Sequence, residues 1–135
     1  MNQEQKTHVL VVDDQYGIRL LLREVLKKSN ISTLVAANAQ QAIDFAEKDK
    51  PAIALVDMKI PGTNGIEIMK KIKAVYPPIQ VMMMTAYGDE AMIRDATANG
   101  AVAFFAKPFD LDELTRTVKE AIARHEQQGE KISNC

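Results

Sequence analysis

ALVDMKIPGTNG, residues 54–65, runs from an apolar segment into a polar loop through a single carboxylate, Asp57. The preceding residues form a short apolar run with the composition of a buried strand, and Pro61 and Gly62 mark a turn close behind it. Ligands of open parallel sheets bind beyond the carboxyl ends of the strands. The stretch therefore predicts a buried strand that presents Asp57 at a functional site.

Four other apolar runs have the same character, and each of the five is followed by a segment of helix length with apolar residues three and four positions apart. The other runs are HVLVVD (8–13), STLVAA (32–37), IQVMMMT (79–85) and AVAFFAK (101–107). Strands that are almost wholly apolar must be covered on both faces. The alternation predicts an α/β fold of three layers, a doubly wound five-stranded parallel sheet between helices.

Length and charge place limits on the classes of function. The chain has 135 residues, and its 17 Lys and Arg against 18 Asp and Glu give a formal charge of −1, so we expect no direct binding to nucleic acid or membrane. The N-terminus lacks an apolar signal core and the one cysteine, Cys135, excludes an internal disulfide, which favours a cytoplasmic protein. We predict a flexible N-terminus (1–6), one folded domain (7–125) and a polar tail (126–135).

The strand ends carry residues that suit phosphoryl chemistry. Asp13, Asp14, Asp57, Thr85 and Lys107 all follow or end an apolar run, so the fold predicts that they meet in one crevice. Crowded carboxylates repel each other unless a cation joins them, and a hard divalent ion such as Mg²⁺ prefers oxygen ligands. Mg²⁺ often shares its site with phosphate, which Lys107 and Thr85 could bind while Asp57 acts as the nucleophile.

Four motifs together resemble the receiver domain of two-component response regulators, over roughly residues 7–125. They are VVDDQ (11–15), ALVDMKIPGTNG (54–65), MMMTAYG (82–88) and FFAKPFD (104–110). The resemblance implies a flavodoxin-like (βα)5 fold with strand order 2-1-3-4-5, the order that the chemotaxis receiver illustrates. It also implies that Asp57 accepts phosphate from a sensor histidine kinase. Asp13, Asp14, Asp57 and the main-chain carbonyl of Lys59 would then hold Mg²⁺ or Mn²⁺.

The same resemblance assigns a conformational switch. Thr85 would move towards the phosphoryl group and Phe104 would turn into the space that it leaves, although Phe104 could also be a fixed core residue. Lys107–Pro108 matches a Lys-Pro bond that is typically cis in the family.

Within this family the chain is similar to the single-domain receivers of sporulation phosphorelays. About ten residues follow the last predicted helix, too few for a DNA-binding module. We therefore expect the signal to be passed on by contact with another protein or by transfer of the phosphoryl group itself. The resemblance implies a phosphotransferase-type relay from a sensor histidine kinase to a histidine phosphotransferase, with an aspartyl-phosphate phosphatase as a further partner. It carries over eight partner-contacting positions: Gln15, Gly17, Ile18, Leu21, Tyr87, Gly88, Pro108 and Phe109.

Three alternatives stay open at this stage. Ile18 and Leu21 could be core positions of the first helix and not contact positions. The protein could be a diffusible switch, as the chemotaxis receiver is, whose phosphorylated form regulates a target by direct binding. A flavin or nucleotide binder on the same fold is disfavoured, because the first strand-to-helix turn is acidic where a phosphate cradle needs glycines and free amides.

Overall fold

The computed structural model of the chain describes residues 8–86 and 90–133, with side chains described through Glu126. The strands are β1 (His8–Val12), β2 (Ser32–Ala36), β3 (Ile53–Asp57), β4 (Lys59–Ile60), β5 (Thr63–Asn64), β6 (Gln80–Thr85) and β7 (Ala103–Ala106). The helices are α1 (Tyr16–Lys27), α2 (Ala39–Asp49), α3 (Gly65–Val75), α4 (Glu90–Ala98) and α5 (Leu111–Ser133). The predicted N-terminal segment 1–6, Tyr87, Gly88 and Cys135 lie outside the described residues.

Five strands form one parallel sheet in the order β2-β1-β3-β6-β7. Counted among these five alone, the order is 2-1-3-4-5, which confirms the predicted flavodoxin-like topology. The other two strands, β4 and β5, form a small antiparallel hairpin that the sequence analysis did not predict. Gly62 lies in its turn with a φ of +84°, a conformation that glycine adopts without strain.

The sheet separates two apolar cores, because successive residues of a strand face opposite sides. Along β1, Leu10 and Val12 face the core beneath α2, α3 and α4, whereas Val9 and Val11 face the core beneath α1 and α5. We call these the α2/α3/α4 core and the α1/α5 core. The methionines of β6 divide in the same way and all are buried, with Met83 in the first core and its two neighbours in the second. This arrangement confirms the three predicted layers.

Side-chain caps fix where several helices begin. Asn38 and Asn64 accept hydrogen bonds from the main-chain N–H groups of Gln41 and Glu67, at 2.9 and 3.0 Å. The carboxylate of Asp110 accepts one from Glu113 N–H at 3.0 Å, which satisfies an otherwise unpaired donor at the start of α5.

The end of the last helix differs from the sequence prediction. We expected the helix to end near residue 125, where the apolar periodicity stops, but α5 continues to Ser133. Glu, Gln and Lys dominate this segment and have high helix propensities, so a polar composition does not end the helix. Even at this length α5 is too polar to cross a bilayer, and no other helix in the described part of the chain could do so.

Candidate active site

The parallel register brings the predicted strand-end residues to one edge of the sheet. Asp13 follows β1 and extends its ladder, since its N–H donates to Ala36 O at 3.1 Å. Asp57 is the last residue of β3 and pairs with Met84 of β6. Lys107 follows β7, and its N–H donates to the carbonyl of Thr85 at 3.0 Å. Residues separated by almost a hundred positions in the chain thus meet at one place, as the sequence predicted.

Lys107 joins two of the carboxylates. Its Nζ lies 3.1 Å from Asp13 Oδ2 and 3.4 Å from Asp57 Oδ2. Asp13 is completely buried and Asp57 is only 7% exposed, so this ammonium partly compensates charges that have lost most of their water. The other oxygen of each carboxylate accepts a main-chain N–H: Asp13 Oδ1 from Gln15 at 2.9 Å and Asp57 Oδ1 from Lys59 at 3.2 Å.

Opposing influences act on the proton affinity of Asp57, and their net effect is to raise its pKa above the usual value of 3.8. Burial is the largest cause, since a partly desolvated carboxylate is harder to charge, and the nearby Asp13 carboxylate adds to it. The Lys59 N–H and the Lys107 ammonium work in the opposite direction. Any further positive charge that enters the site would favour the ionised form of the Asp57 carboxylate.

The donor set suits a hard divalent cation. Carboxylate oxygens of Asp13, Asp14 and Asp57 lie within 4.8 Å of one another, and Asp14 is exposed to solvent. The Lys107 ammonium contacts two of these three carboxylates, and all the offered ligands are oxygens, as Mg²⁺ and Mn²⁺ prefer. Lys59, whose main-chain carbonyl is the fourth predicted ligand, begins the hairpin that lines the same cleft. The residues therefore fit the predicted ion.

The acids open into a cleft of about 620 Å³, which is large enough for a phosphoryl group and an approaching side chain. Its charged lining comes from Asp14, Asp57, Lys59 and Lys107. Ile60, Pro61 and Met92 contribute apolar surface. Ala86 lies in the wall and adds only a methyl group.

The two predicted switch residues lie on neighbouring strands. Thr85 is 5% exposed, and its hydroxyl donates to the carbonyl of Ala86 at 2.9 Å. Phe104 is half-buried and packs against the α2/α3/α4 core. The bond between Lys107 and Pro108 is cis, as the resemblance implied.

The predicted partner positions differ in exposure. Gln15, Gly17, Leu21 and Pro108 are exposed, whereas Ile18 and Phe109 are half-buried and pack against the α1/α5 core. On the first helix the distinction is sharp, because Leu21 is 39% exposed and the adjacent Leu22 is fully buried. The core interpretation of Leu21 is therefore wrong, and that of Ile18 is correct only in part. Tyr87 and Gly88 are not among the described residues.

Two residues at the site escaped the sequence analysis. Arg19 donates from its guanidinium to the main-chain carbonyl of Asp13 at 2.8 Å. A cation near the N-terminal end of a helix opposes the helix dipole, and that is the signal by which it could have been noticed. Gly65 lies so close to the carbonyl of Asp57 that an added Cβ would be 2.5 Å from that oxygen. No pattern in the sequence indicates such an approach, because it depends on how α3 packs against β3.

Comparisons with known proteins agree with the geometry. The family model for the response regulator receiver domain matches residues 9–119. The chain is 51% identical over 112 residues to sporulation initiation phosphotransferase F of Bacillus subtilis, covering 83% of this chain and 90% of that protein. It is 32% identical over 124 residues to the DNA-binding transcriptional regulator NtrC of Escherichia coli, covering 92% of this chain but 26% of the regulator.

Solved structures show the same fold. A CheY-like response regulator receiver domain protein from Methanospirillum hungatei superposes with a TM-score of 0.85 at 25% identity, covering 91% of this chain and 98% of that one. The family match spans every strand-end residue at the site. This chain belongs to the family of response regulator receiver domains.

Proposed function

We propose that this receiver is a phosphorelay intermediate that accepts a phosphoryl group on Asp57 from a sensor histidine kinase and passes it to a histidine phosphotransferase, in the initiation of sporulation. The observation that carries the proposal is the similarity to sporulation initiation phosphotransferase F, 90% of which this chain covers at 51% identity. The buried Asp57 carboxylate at the cleft supplies the acceptor that such a relay needs.

Asp57 acts as the nucleophile in the first transfer. One of its oxygens forms an O–P bond while the N–P bond of the donor phosphohistidine breaks, and the electron pair of that bond returns to the imidazole nitrogen. In the second transfer a histidine nitrogen of the phosphotransferase forms a new N–P bond and the Asp57 oxygen leaves with its electron pair. Neither step needs an oxidant or a water molecule, so the chemistry is that of a phosphotransferase.

Lys107 supports both transfers from its position between the two acids. In the unphosphorylated site the Lys107 ammonium contacts Asp57 Oδ2. After phosphorylation it would bind a phosphoryl oxygen and keep its contact with Asp13. Asp13, Asp14, Asp57 and the Lys59 carbonyl would hold Mg²⁺ or Mn²⁺, which neutralises charge on transferring phosphoryl oxygens.

The switch belongs to the same proposal. The Thr85 hydroxyl would exchange its bond to the Ala86 carbonyl for one to a phosphoryl oxygen, because a charged acceptor makes the stronger hydrogen bond. The ring of Phe104, which is only half-buried, would then turn inward. The exposed side chains of Gln15, which lines the cleft, and of Leu21 on α1 would contact the partner that carries the histidine.

A two-stage transfer experiment tests the relay. The protein is phosphorylated with acetyl phosphate and Mg²⁺, the small donor is removed, and a purified sporulation histidine phosphotransferase is added. We expect the label to move from Asp57 to the histidine, and the Asp57→Asn variant to take up no label in the first stage.

The outcomes separate the two classes of function. If Asp57 is labelled but the phosphate is only hydrolysed after the phosphotransferase is added, the relay is refuted and a diffusible switch becomes the better interpretation. If Asp57→Asn is labelled at the wild-type rate, the acceptor itself is misassigned.

A further inference from the structure

Every polar group of Asp13 has a partner. Its N–H bonds Ala36 O, and its carboxylate accepts the Gln15 N–H and the Lys107 ammonium. The remaining group, the main-chain carbonyl, accepts the guanidinium of Arg19 at 2.8 Å. This carbonyl belongs to the peptide that links Asp13 to Asp14, so the bond to Arg19 holds that peptide plane in place.

Asp14 lacks such restraint. It is exposed, and in the described ranges 8–86 and 90–126 no side chain or N–H group bonds to its carboxylate. Its direction therefore depends on the backbone on either side of it. The Arg19 side chain holds the Asp13–Asp14 peptide. The Asp13 carboxylate holds the peptide on the other side, because it accepts the Gln15 N–H.

Arg19 is itself held from a second side. Its guanidinium carbon lies 5.7 Å from the centre of the Tyr16 ring, within the range of a cation–π contact. No acidic residue occupies the first turn of α1 to favour a cation there, and the dipole of the helix opposes one. The position of Arg19 is thus better explained by its bond to the Asp13 carbonyl than by the helix to which it belongs.

We propose that Arg19 is a positioning residue for the divalent cation: by holding the Asp13–Asp14 peptide, it keeps the Asp14 carboxylate directed at the cleft beside Asp13 and Asp57. The inference rests on the proposed function, since it presumes that the acids bind Mg²⁺. Partners that orient metal ligands without touching the metal commonly change affinity by 10-fold to 100-fold when they are removed.

The sign of the effect distinguishes this role from simple electrostatics. Arg19 carries a positive charge close to the acids, so its charge alone repels a cation, and removing that charge should tighten Mg²⁺ binding. A positioning role predicts the opposite, because an unrestrained Asp14 must be ordered when the ion binds.

The test is a titration of the full-length, ¹⁵N-labelled protein with Mg²⁺, followed by the amide shifts of the β1–α1 segment. Arg19→Gln is compared with Arg23→Gln, which removes the same charge from an exposed residue one turn further along α1. We expect the dissociation constant to rise roughly 10-fold in Arg19→Gln and to stay within about 2-fold in Arg23→Gln. Arg19→Lys retains a donor and should bind Mg²⁺ more tightly than Arg19→Gln.

A dissociation constant for Arg19→Gln at or below the wild-type value overturns the proposal, as does an equal weakening in Arg23→Gln. The amide spectrum of each variant shows directly whether it is folded, so a folding defect is not mistaken for lost affinity. No kinase or phosphotransferase is present, and failure of the relay would leave the result unchanged. Failure of the wild type to bind Mg²⁺ would instead refute the metal site, and with it the role of Arg19.

Discussion

Replacing Gly65 with alanine is expected to weaken the fold and the acceptor site together. The new methyl group would lie 2.5 Å from the Asp57 carbonyl oxygen, 2.8 Å from the Met58 Cα and 2.8 Å from the Met83 Cε. The methionine side chain can turn aside, but the first two atoms belong to the backbone. α3 and the end of β3 must therefore separate by about 1 Å before ordinary van der Waals contact is restored.

The magnitude follows from two opposing contributions. Overpacking a tight contact costs about 1–3 kcal/mol, and the higher helix propensity of alanine returns at most ~1 kcal/mol of this at the first residue of α3. A net loss of about 2 kcal/mol corresponds to a fall in Tm of roughly 5–10 °C for a domain of this size. Moving a nucleophile by about 1 Å can slow a reaction ~100-fold, so labelling by acetyl phosphate should fall by up to that factor.

Gly17 provides the matched control. It lies in α1, and a Cβ there would meet nothing within 4 Å, so Gly17→Ala should raise stability by about 0.5–1 kcal/mol and leave labelling by acetyl phosphate unchanged. Thermal unfolding followed by circular dichroism, together with the initial rate of labelling, measures both effects. If Gly65→Ala unfolds at the wild-type temperature and is labelled at the wild-type rate, the close approach does not constrain this site and the reasoning is wrong.

Three further predictions concern the charges and the first helix. Because burial raises the folded-state pKa of Asp57 above its unfolded value, the metal-free protein loses stability as pH rises through that folded-state pKa. In the presence of a chelator, Asp57→Asn should therefore have a higher Tm than the wild type at pH 7. The difference should vanish well below pH 4, where the aspartate is protonated in both the folded and the unfolded state. An equal Tm at pH 7 would contradict this. Lys107→Met leaves Asp13 buried without its cation and should slow labelling by acetyl phosphate ~100-fold, and a loss below 3-fold would exclude the proposed role. Leu22→Ala should lower the free energy of unfolding, measured with denaturant, by about 3 kcal/mol, whereas Leu21→Ala should lower it by less than ~1 kcal/mol. Leu21→Ala should keep normal labelling by acetyl phosphate and slow transfer to the phosphotransferase. Equal losses of stability in the two variants would contradict the assigned burial.

The sequence was sufficient for the topology and the acids, for a physical reason. Strands such as AIALVD (52–57) are apolar on both faces, which permits only a covered parallel sheet, and such a sheet gathers its strand ends. Asp13, Asp57 and Lys107 could therefore be assigned to one site although they lie far apart in the chain.

The features that were missed depend on tertiary contacts or on weak local preferences. The bond from Arg19 to the Asp13 carbonyl and the packing of Gly65 exist only after α1 and α3 have docked on the sheet. The β4–β5 hairpin is only two residues long on each side, too short to give an alternating pattern. The end of α5 was placed too early, because the loss of an apolar face shows where packing stops and not where helical hydrogen bonding stops.

The late position of Lys107 in the chain gives the site an order of assembly during synthesis. Asp13 and Asp57 leave the ribosome long before the ammonium that contacts them, because Lys107 follows β7, the last strand of the sheet. A nascent chain that ends before this residue holds Asp13 and Asp57 without the ammonium that contacts both carboxylates in the folded protein. The acceptor site is thus completed only after the segment that ends at Lys107 has been made, because a product interrupted before this residue lacks the ammonium that contacts Asp13 and Asp57.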